Sequence, residues 1–133
     1  MSNPVSGTSQ FAQLTVVELG HSVAAPFAGQ ILGELGAQVI KVEKREGDDA
    51  RRWGPPFWEG ASALFQGLNR NKQSVVCDLR STRDREALLT LIRDRADIVI
   101  QNLRPGHIES LGLDGESLLR IKPSLVYCNL GAF

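Results

Sequence analysis

Apolar positions along this chain fall into two alternating patterns. Short runs rich in β-branched residues, at 15–19, 38–43, 74–79, 98–102 and 126–130, predict five strands. Between them, apolar residues recur at helical spacing. Residues 26–35 predict a helix with Pro26 in its first turn and Gly36 as its stop. Residues 61–68 predict a short helix. Ser81 and Thr82 can cap the next one, whose buried stripe is Ala87, Leu88, Leu91 and Ile92. Residues 105–111 predict a short helix stopped by Gly112, and Asp114 starts another that ends at Lys122, before Pro123. The segment 44–60 is charged and rich in Gly and Pro; a connection this long inside a compact domain is functional or mobile. Residues 1–13 are polar and read as a flexible arm, leaving 14–133 as the folded segment.

Strands alternating with helices imply parallel pairing through right-handed crossovers. The expected fold class is α/β, a Rossmann-like parallel sheet of about five strands with flanking helices. Weak alternation within the runs fits strands covered on both faces. Such a sheet predicts its own ligand site, beyond the carboxyl ends of the strands where the winding reverses. In the commonest order that point lies between the first and fourth strands, whose exit loops are 20–25 and 102–106. Basic residues follow neighbouring strands: Lys44 and Arg45, then Arg80, then Arg104. Cations converging on one rim suit a phosphorylated ligand. A dinucleotide is disfavoured, because the first loop offers Gly20, His21, Ser22 and two alanines instead of Gly-x-Gly-x-x-Gly.

Composition narrows the classes further. A chain of 133 residues suits one domain. Fifteen basic residues balance fifteen acidic ones, which argues against a nucleic-acid surface. No apolar run approaches the ~20 residues that span a membrane, and no charged n-region with an apolar h-region opens the chain, so a cytoplasmic protein is expected. Cys77 and Cys128 read as free thiols and make no zinc site.

Several residues carry two readings. His21 is either a catalytic base or a loop-stabilising hydrogen-bonding group; no partner acid is visible, which favours the second. Glu43, Glu46, Asp48 and Asp49 form either a magnesium site or a solvated turn with capping roles, and the turn is expected. Trp53, Phe57 and Trp58 either stack on a base or plug an interface, and the plug is expected. Lys72 either binds phosphate or has a structural role.

Four segments together carry a resemblance. They are Glu18-Leu19-Gly20 through Pro26-Phe27-Ala28-Gly29; Leu35-Gly36-Ala37-Gln38-Val39-Ile40-Lys41-Val42-Glu43; Asn69-Arg70-Asn71-Lys72-Gln73-Ser74-Val75; and Ala96-Asp97-Ile98-Val99-Ile100-Gln101-Asn102-Leu103-Arg104-Pro105-Gly106. Gly47-Asp48-Asp49 with Arg52-Trp53-Gly54-Pro55-Pro56 fits between them. With them the chain resembles the N-terminal portion of the class III CoA-transferases, the family of formyl-CoA transferase and the carnitine CoA-transferases, to which the α-methylacyl-CoA racemases are related.

The resemblance implies a Rossmann-like large domain, a longer chain and two subunits interlocked as a homodimer. It implies coenzyme A or acyl-CoA as substrate, a carboxylic acid as partner and no metal. CoA would move between acids through an aspartyl-CoA thioester. It places the nucleophilic aspartate beyond the segment Asn129-Leu130-Gly131-Ala132-Phe133, so these residues are expected to supply the CoA cradle without the nucleophile. By motif position, the CoA contacts would be Val23, Ala24, Lys44, Cys77, Arg80, Asn102, Leu103 and Leu111. Val23 replaces a more polar residue of formyl-CoA transferase, and Ser110 stands where that enzyme has an arginine, which leaves substrate identity open. A stand-alone, non-catalytic CoA-binding or interaction module and a racemase-type fragment are the alternative readings.

Overall fold

The computed structural model describes residues 11–131. The flexible-arm expectation falls largely on residues outside that span. Residues 11–13 form a turn in which Leu14 N donates to Phe11 O at 3.0 Å, and Phe11 packs against the core.

The main sheet has five parallel strands. They are β1 (Thr15–Glu18), β2 (Gln38–Glu43), β5 (Lys72–Val76), β6 (Ile98–Gln101) and β7 (Val126–Asn129), in the order β5-β2-β1-β6-β7. The winding therefore reverses between β1 and β6, the first and fourth strands of this sheet, as the doubly wound order requires. The flanking helices are α1 (Ala24–Glu34), α3 (Thr82–Arg95), α4 (His107–Ser110) and α5 (Gly115–Ile121).

Each face of the sheet buries its own apolar set. Val17, Leu19, Val42 and Val99 pack with Leu88 and Ile92 of α3, Ile108 of α4 and Leu118 of α5. Val16, Val39 and Ile100 pack with Ala25, Ala28 and Leu32 of α1. Neighbours in sequence thus go to opposite faces, as a pleated strand demands. The α3 stripe differs by one position from the expected one: Leu89 packs against the core while Ala87 is exposed. Caps follow the expected chemistry, with Ser81 Oγ accepting from Asp84 N at 3.2 Å and an Asp114 carboxylate oxygen accepting from Ser117 N at 3.3 Å.

The long connection 44–60 is more structured than its composition implied. Asp48 caps a single 3-10 turn, Asp49–Arg52. A hairpin then pairs β3 (Phe57–Trp58) with β4 (Ala61–Ser62). Its turn residues Glu59 and Gly60 both take positive φ, 51° and 86°, the backbone that matches the twist of paired strands. Ser62 caps α2 (Ala63–Leu68), so the helix starts two residues later than expected. Ala50, Ala61 and Phe65 form a small separate core beneath this segment. Among the described residues no helix is long and apolar enough to cross a membrane.

Candidate functional site

At the carboxyl ends of β1, β2, β5 and β6 lies a cavity of about 740 Å³. Its floor is apolar, from Leu19, Val42, Leu79 and Leu103, and its rim carries Lys44, Arg45, Arg80 and Arg83. The volume falls in the range of ordinary cofactor pockets. Most of the lining comes from the segments after β2 and β5, with Gly20, His21 and Leu103 from the two loops at the reversal.

The rim cations do not stand alone. Lys44 Nζ lies 2.9 Å from an Asp49 oxygen, and Arg80 Nε lies 3.2 Å from an Asp78 oxygen. The hydrogen bond from Lys44 holds the Asp49 carboxyl below its usual range. The backbone N–H of Arg80, then its guanidinium, do the same for Asp78. Four cations share the lining with six carboxylates; Glu43 and Asp48 are already paired with Arg51 and Lys41, and Glu46, Asp49, Asp78 and Asp84 leave the rim close to neutral. An anion at Lys44 or Arg80 would have to compete with these carboxylates, through direct contact more than long-range attraction. Cys77 is a buried free thiol in the same wall, and burial pushes its thiol up. It serves as apolar surface; a reactive thiol needs the opposite shift.

Of the residues expected to touch CoA, the cavity brings together Lys44, Cys77, Arg80 and Leu103. The other four do not line it. Val23 and Ala24 are exposed at the start of α1. Leu111 packs against the core beside α4. Asn102 lies at the end of β6 with its side chain on the main chain of His21. Arg104 also stays off the lining, whereas Arg83, absent from the sequence expectation, is on it.

His21 has the loop role: its Nδ1 lies 2.9 Å from Ser22 Oγ, and its backbone is held by Asn102. Gly20 fits this loop because a Cβ there would lie 2.1 Å from Ala25 Cβ and 2.5 Å from Asn102 Oδ1. Neither neighbour is the free end of a flexible chain. Gly20→Ala is expected to destabilise the fold by about 1–3 kcal/mol through overpacking. An unchanged denaturation midpoint would contradict the tight approach.

A buried ionic network supports the site from below. Glu18 and Lys41 are register partners on β1 and β2, with side chains 0% and 1% exposed and 3.0 Å apart. Lys41 also contacts Asp48 at 2.9 Å, and Lys72 contacts Glu18 at 2.6 Å. Lys72 further donates to Pro26 O and Asn69 Oδ1, each at 2.8 Å, contacts of a structural kind, and it is not on the cavity lining. Burial pushes the Lys72 ammonium down, and Glu18 opposes that shift. Gly29 of α1 makes room for the network, since a Cβ there would lie 2.2 Å from Glu18 Oε1.

The acidic cluster is therefore divided. Asp48 caps a turn as expected, but Asp48 and Glu43 are buried, which corrects the solvated reading. Glu43 accepts from Arg51 at 2.8 and 2.9 Å, from Asp48 N at 2.7 Å and from Ser74 Oγ. Among the described residues no buried side-chain polar atom lacks a partner, and no group of three metal-type ligands assembles. The signal for this network was in the sequence: Glu18, Lys41 and Glu43 interrupt apolar runs at positions that face α1.

The site is a cavity over the carboxyl ends of a parallel α/β sheet, apolar below, with the rim cations Lys44 and Arg80 paired to carboxylates. Comparison with known proteins gives the family. The chain matches the family model of CoA-transferase family III over residues 11–133, and it belongs to that family. It is similar to the succinate–glutarate CoA-transferase of Agrobacterium fabrum, 42% identical over 98% of this chain and 32% of the relative. It is also similar to the acetyl-CoA:oxalate CoA-transferase of Acetobacter aceti, 37% identical over 99% of this chain and 34% of the relative. Among solved structures, a CAIB/BAIF family protein from Brucella suis aligns with a TM-score of 0.88 at 46% identity, over 94% of this chain and 34% of the other. Rv3272 from Mycobacterium tuberculosis aligns at 0.85 and 38% identity, with the same coverage. The chain spans about a third of the length of the curated relatives it matches.

Proposed function

We propose that this chain forms the CoA cradle of a cytoplasmic class III CoA-transferase, which moves CoA between carboxylic acids through an aspartyl-CoA thioester. The observation that carries the reading is the cavity over β1, β2, β5 and β6, with Lys44 and Arg80 on its rim and an apolar floor of Leu19, Val42, Leu79 and Leu103. The apolar floor suits the adenine and pantetheine, and the rim cations suit the phosphates. The relatives described above carry transferase names, which supports transfer over racemisation. A nucleophile is assigned to none of the residues here; the acyl-exchange step needs the family's aspartate.

Calorimetric titration with coenzyme A tests the cradle. Changing Lys44 and Arg80 together to alanine is expected to weaken binding by roughly tenfold and to flatten its salt dependence. Both side chains are largely exposed, so the effect comes from direct contact with phosphate. Equal affinity in the double variant would remove the rim from the binding site.

The same reading includes a homodimer. Trp53, Phe57 and Trp58 are 46%, 55% and 63% exposed on the 44–60 segment. Val23, Phe27, Ile31 and Leu35 form a second exposed apolar line at four-residue spacing along α1. Contiguous apolar surface of this kind is covered in stable assemblies. Sedimentation at micromolar concentration is expected to show a dimer; a monomer unaffected by Trp53→Ala and Trp58→Ala would contradict it.

A further inference from the structure

We propose that Asn102 and Asp48 are positioning residues that clamp the loop 20–25 in its ligand-ready shape before CoA arrives. The inference rests on the cradle reading above and assigns work to two side chains that the cavity lining alone does not explain.

The clamp acts on consecutive residues of one loop. From the end of β6, Asn102 engages both backbone polar groups of His21. Its Oδ1 accepts from His21 N at 3.0 Å and its Nδ2 donates to His21 O at 3.0 Å. From the loop after β2, Asp48 accepts Ser22 N on both oxygens, at 3.0 and 3.2 Å. Ser22 has φ 68°, the left-handed region that a non-glycine residue adopts only when its surroundings enforce it. Within the loop Ser22 Oγ meets His21 Nδ1 at 2.9 Å, and the contact from outside the loop is the Asp48 carboxylate on Ser22 N.

Asp48 is itself anchored. Lys41 Nζ and Ala50 N each lie 2.9 Å from its oxygens, and its own N–H donates to Glu43 at 2.7 Å. The clamp on Ser22 is therefore continuous with the buried ionic network under α1. Gly20, just before the clamped pair, leaves no room for the loop to shift toward Ala25 or Asn102. The ends of β1, β2 and β6 thus converge on His21 and Ser22, at the mouth of the cavity and the start of α1. A loop held this way needs no ordering when the ligand binds, and preorganisation appears as affinity. Asn102, which the family resemblance counted among the CoA contacts, acts in this assignment through the loop.

Asn102→Ala in the whole protein is the main test, since Asn102 is half-buried and carries no charge whose loss would endanger the fold. The expected result has three parts. Amide hydrogen exchange speeds up at 20–25 while the central strands keep their protection, the melting temperature stays within a few degrees, and the calorimetric Kd for coenzyme A rises roughly tenfold. A second comparison sets Asp48→Ala against Asp48→Asn, which keeps an oxygen for Ser22 N. Protection at Ser22 is expected to fall in the first and to persist in the second. Unchanged exchange at 20–25 in Asn102→Ala overturns the clamp. Faster exchange with unchanged CoA affinity overturns its positioning role. Wild-type protein that binds no CoA would overturn the cradle reading, while the exchange comparison still decides the clamp.

Discussion

Glu18→Met is expected to destabilise the protein by about 3–5 kcal/mol, the loss typical of breaking a buried ion pair from one side. Methionine is near glutamate in length, so the substitution changes charge far more than volume. Glu18 sits between two ammonium groups, Lys41 at 3.0 Å and Lys72 at 2.6 Å, with its own side chain fully buried. Its removal leaves Lys41 paired with Asp48, but strips Lys72 of the one carboxylate it contacts among the described residues. Lys72 then holds a buried positive charge against two neutral acceptors, Pro26 O and Asn69 Oδ1. Adding Lys72→Met removes that orphaned charge. The double variant is therefore expected to recover part of the loss, giving a coupling of at least about 1 kcal/mol in a double-mutant cycle. It does not return to wild type, because Pro26 O and Asn69 lose their donor. Urea denaturation at neutral pH measures all three variants. A single-variant loss below about 1 kcal/mol would mean that water reaches the network, and the picture of a dry ionic core under α1 would fall.

This network marks the boundary of what the sequence made legible. Four strand positions followed from β-branched runs, whereas β5 spans Lys72–Val76 instead of 74–79 and α1 begins at Ala24, two residues before the expected Pro26. Helix stops followed from Gly36 and Gly112, the α3 start from Ser81, and the switch point from the alternation of elements. Those features act locally, so a single sequence displays them. The five-strand parallel sheet and its reversal between β1 and β6 followed directly. Residues whose meaning depends on a distant partner were harder. Glu43 and Asp48 look like surface acids until Arg51, Ser74 and Lys41 are placed against them. Asn102 resembles a ligand contact until its amide meets His21, 81 positions away. The β3–β4 hairpin was missed for a different reason. Its strands are two residues each, too short for alternation to register, and only the turn at Glu59–Gly60 marked it. At the cavity, motif position placed Lys44, Cys77, Arg80 and Leu103 on the lining, but not the carboxylates that neutralise the rim.

The protein is expected to lose about 3 kcal/mol of stability between pH 4.5 and pH 2 through Glu43 alone. Burial by itself pushes this carboxyl up. Hydrogen bonds from Arg51, Ser74 and the Asp48 backbone, with the charge of Arg51, outweigh burial and bring the group from 4.5 down to about 2. The folded state therefore binds this proton less readily than the unfolded chain does. A depressed folded value means that the contribution is fully present above the unfolded pKa and disappears as pH falls through the folded one. A displacement of this size corresponds to about 3 kcal/mol at about 1.4 kcal/mol per pH unit. The loss should feed directly into the site. Glu43 accepts Asp48 N at 2.7 Å, and Asp48 holds Ser22, so protonation at Glu43 loosens the support of the loop 20–25. Arg51→Gln keeps a hydrogen-bonding side chain but removes the charge. It is expected to lower stability at pH 7 and to flatten the acid limb of the stability curve. Urea midpoints collected from pH 7 to pH 2 for both proteins provide the comparison. Parallel curves for wild type and Arg51→Gln would show that Glu43 does not govern the acid limb, and that another carboxylate of the network takes up the proton first.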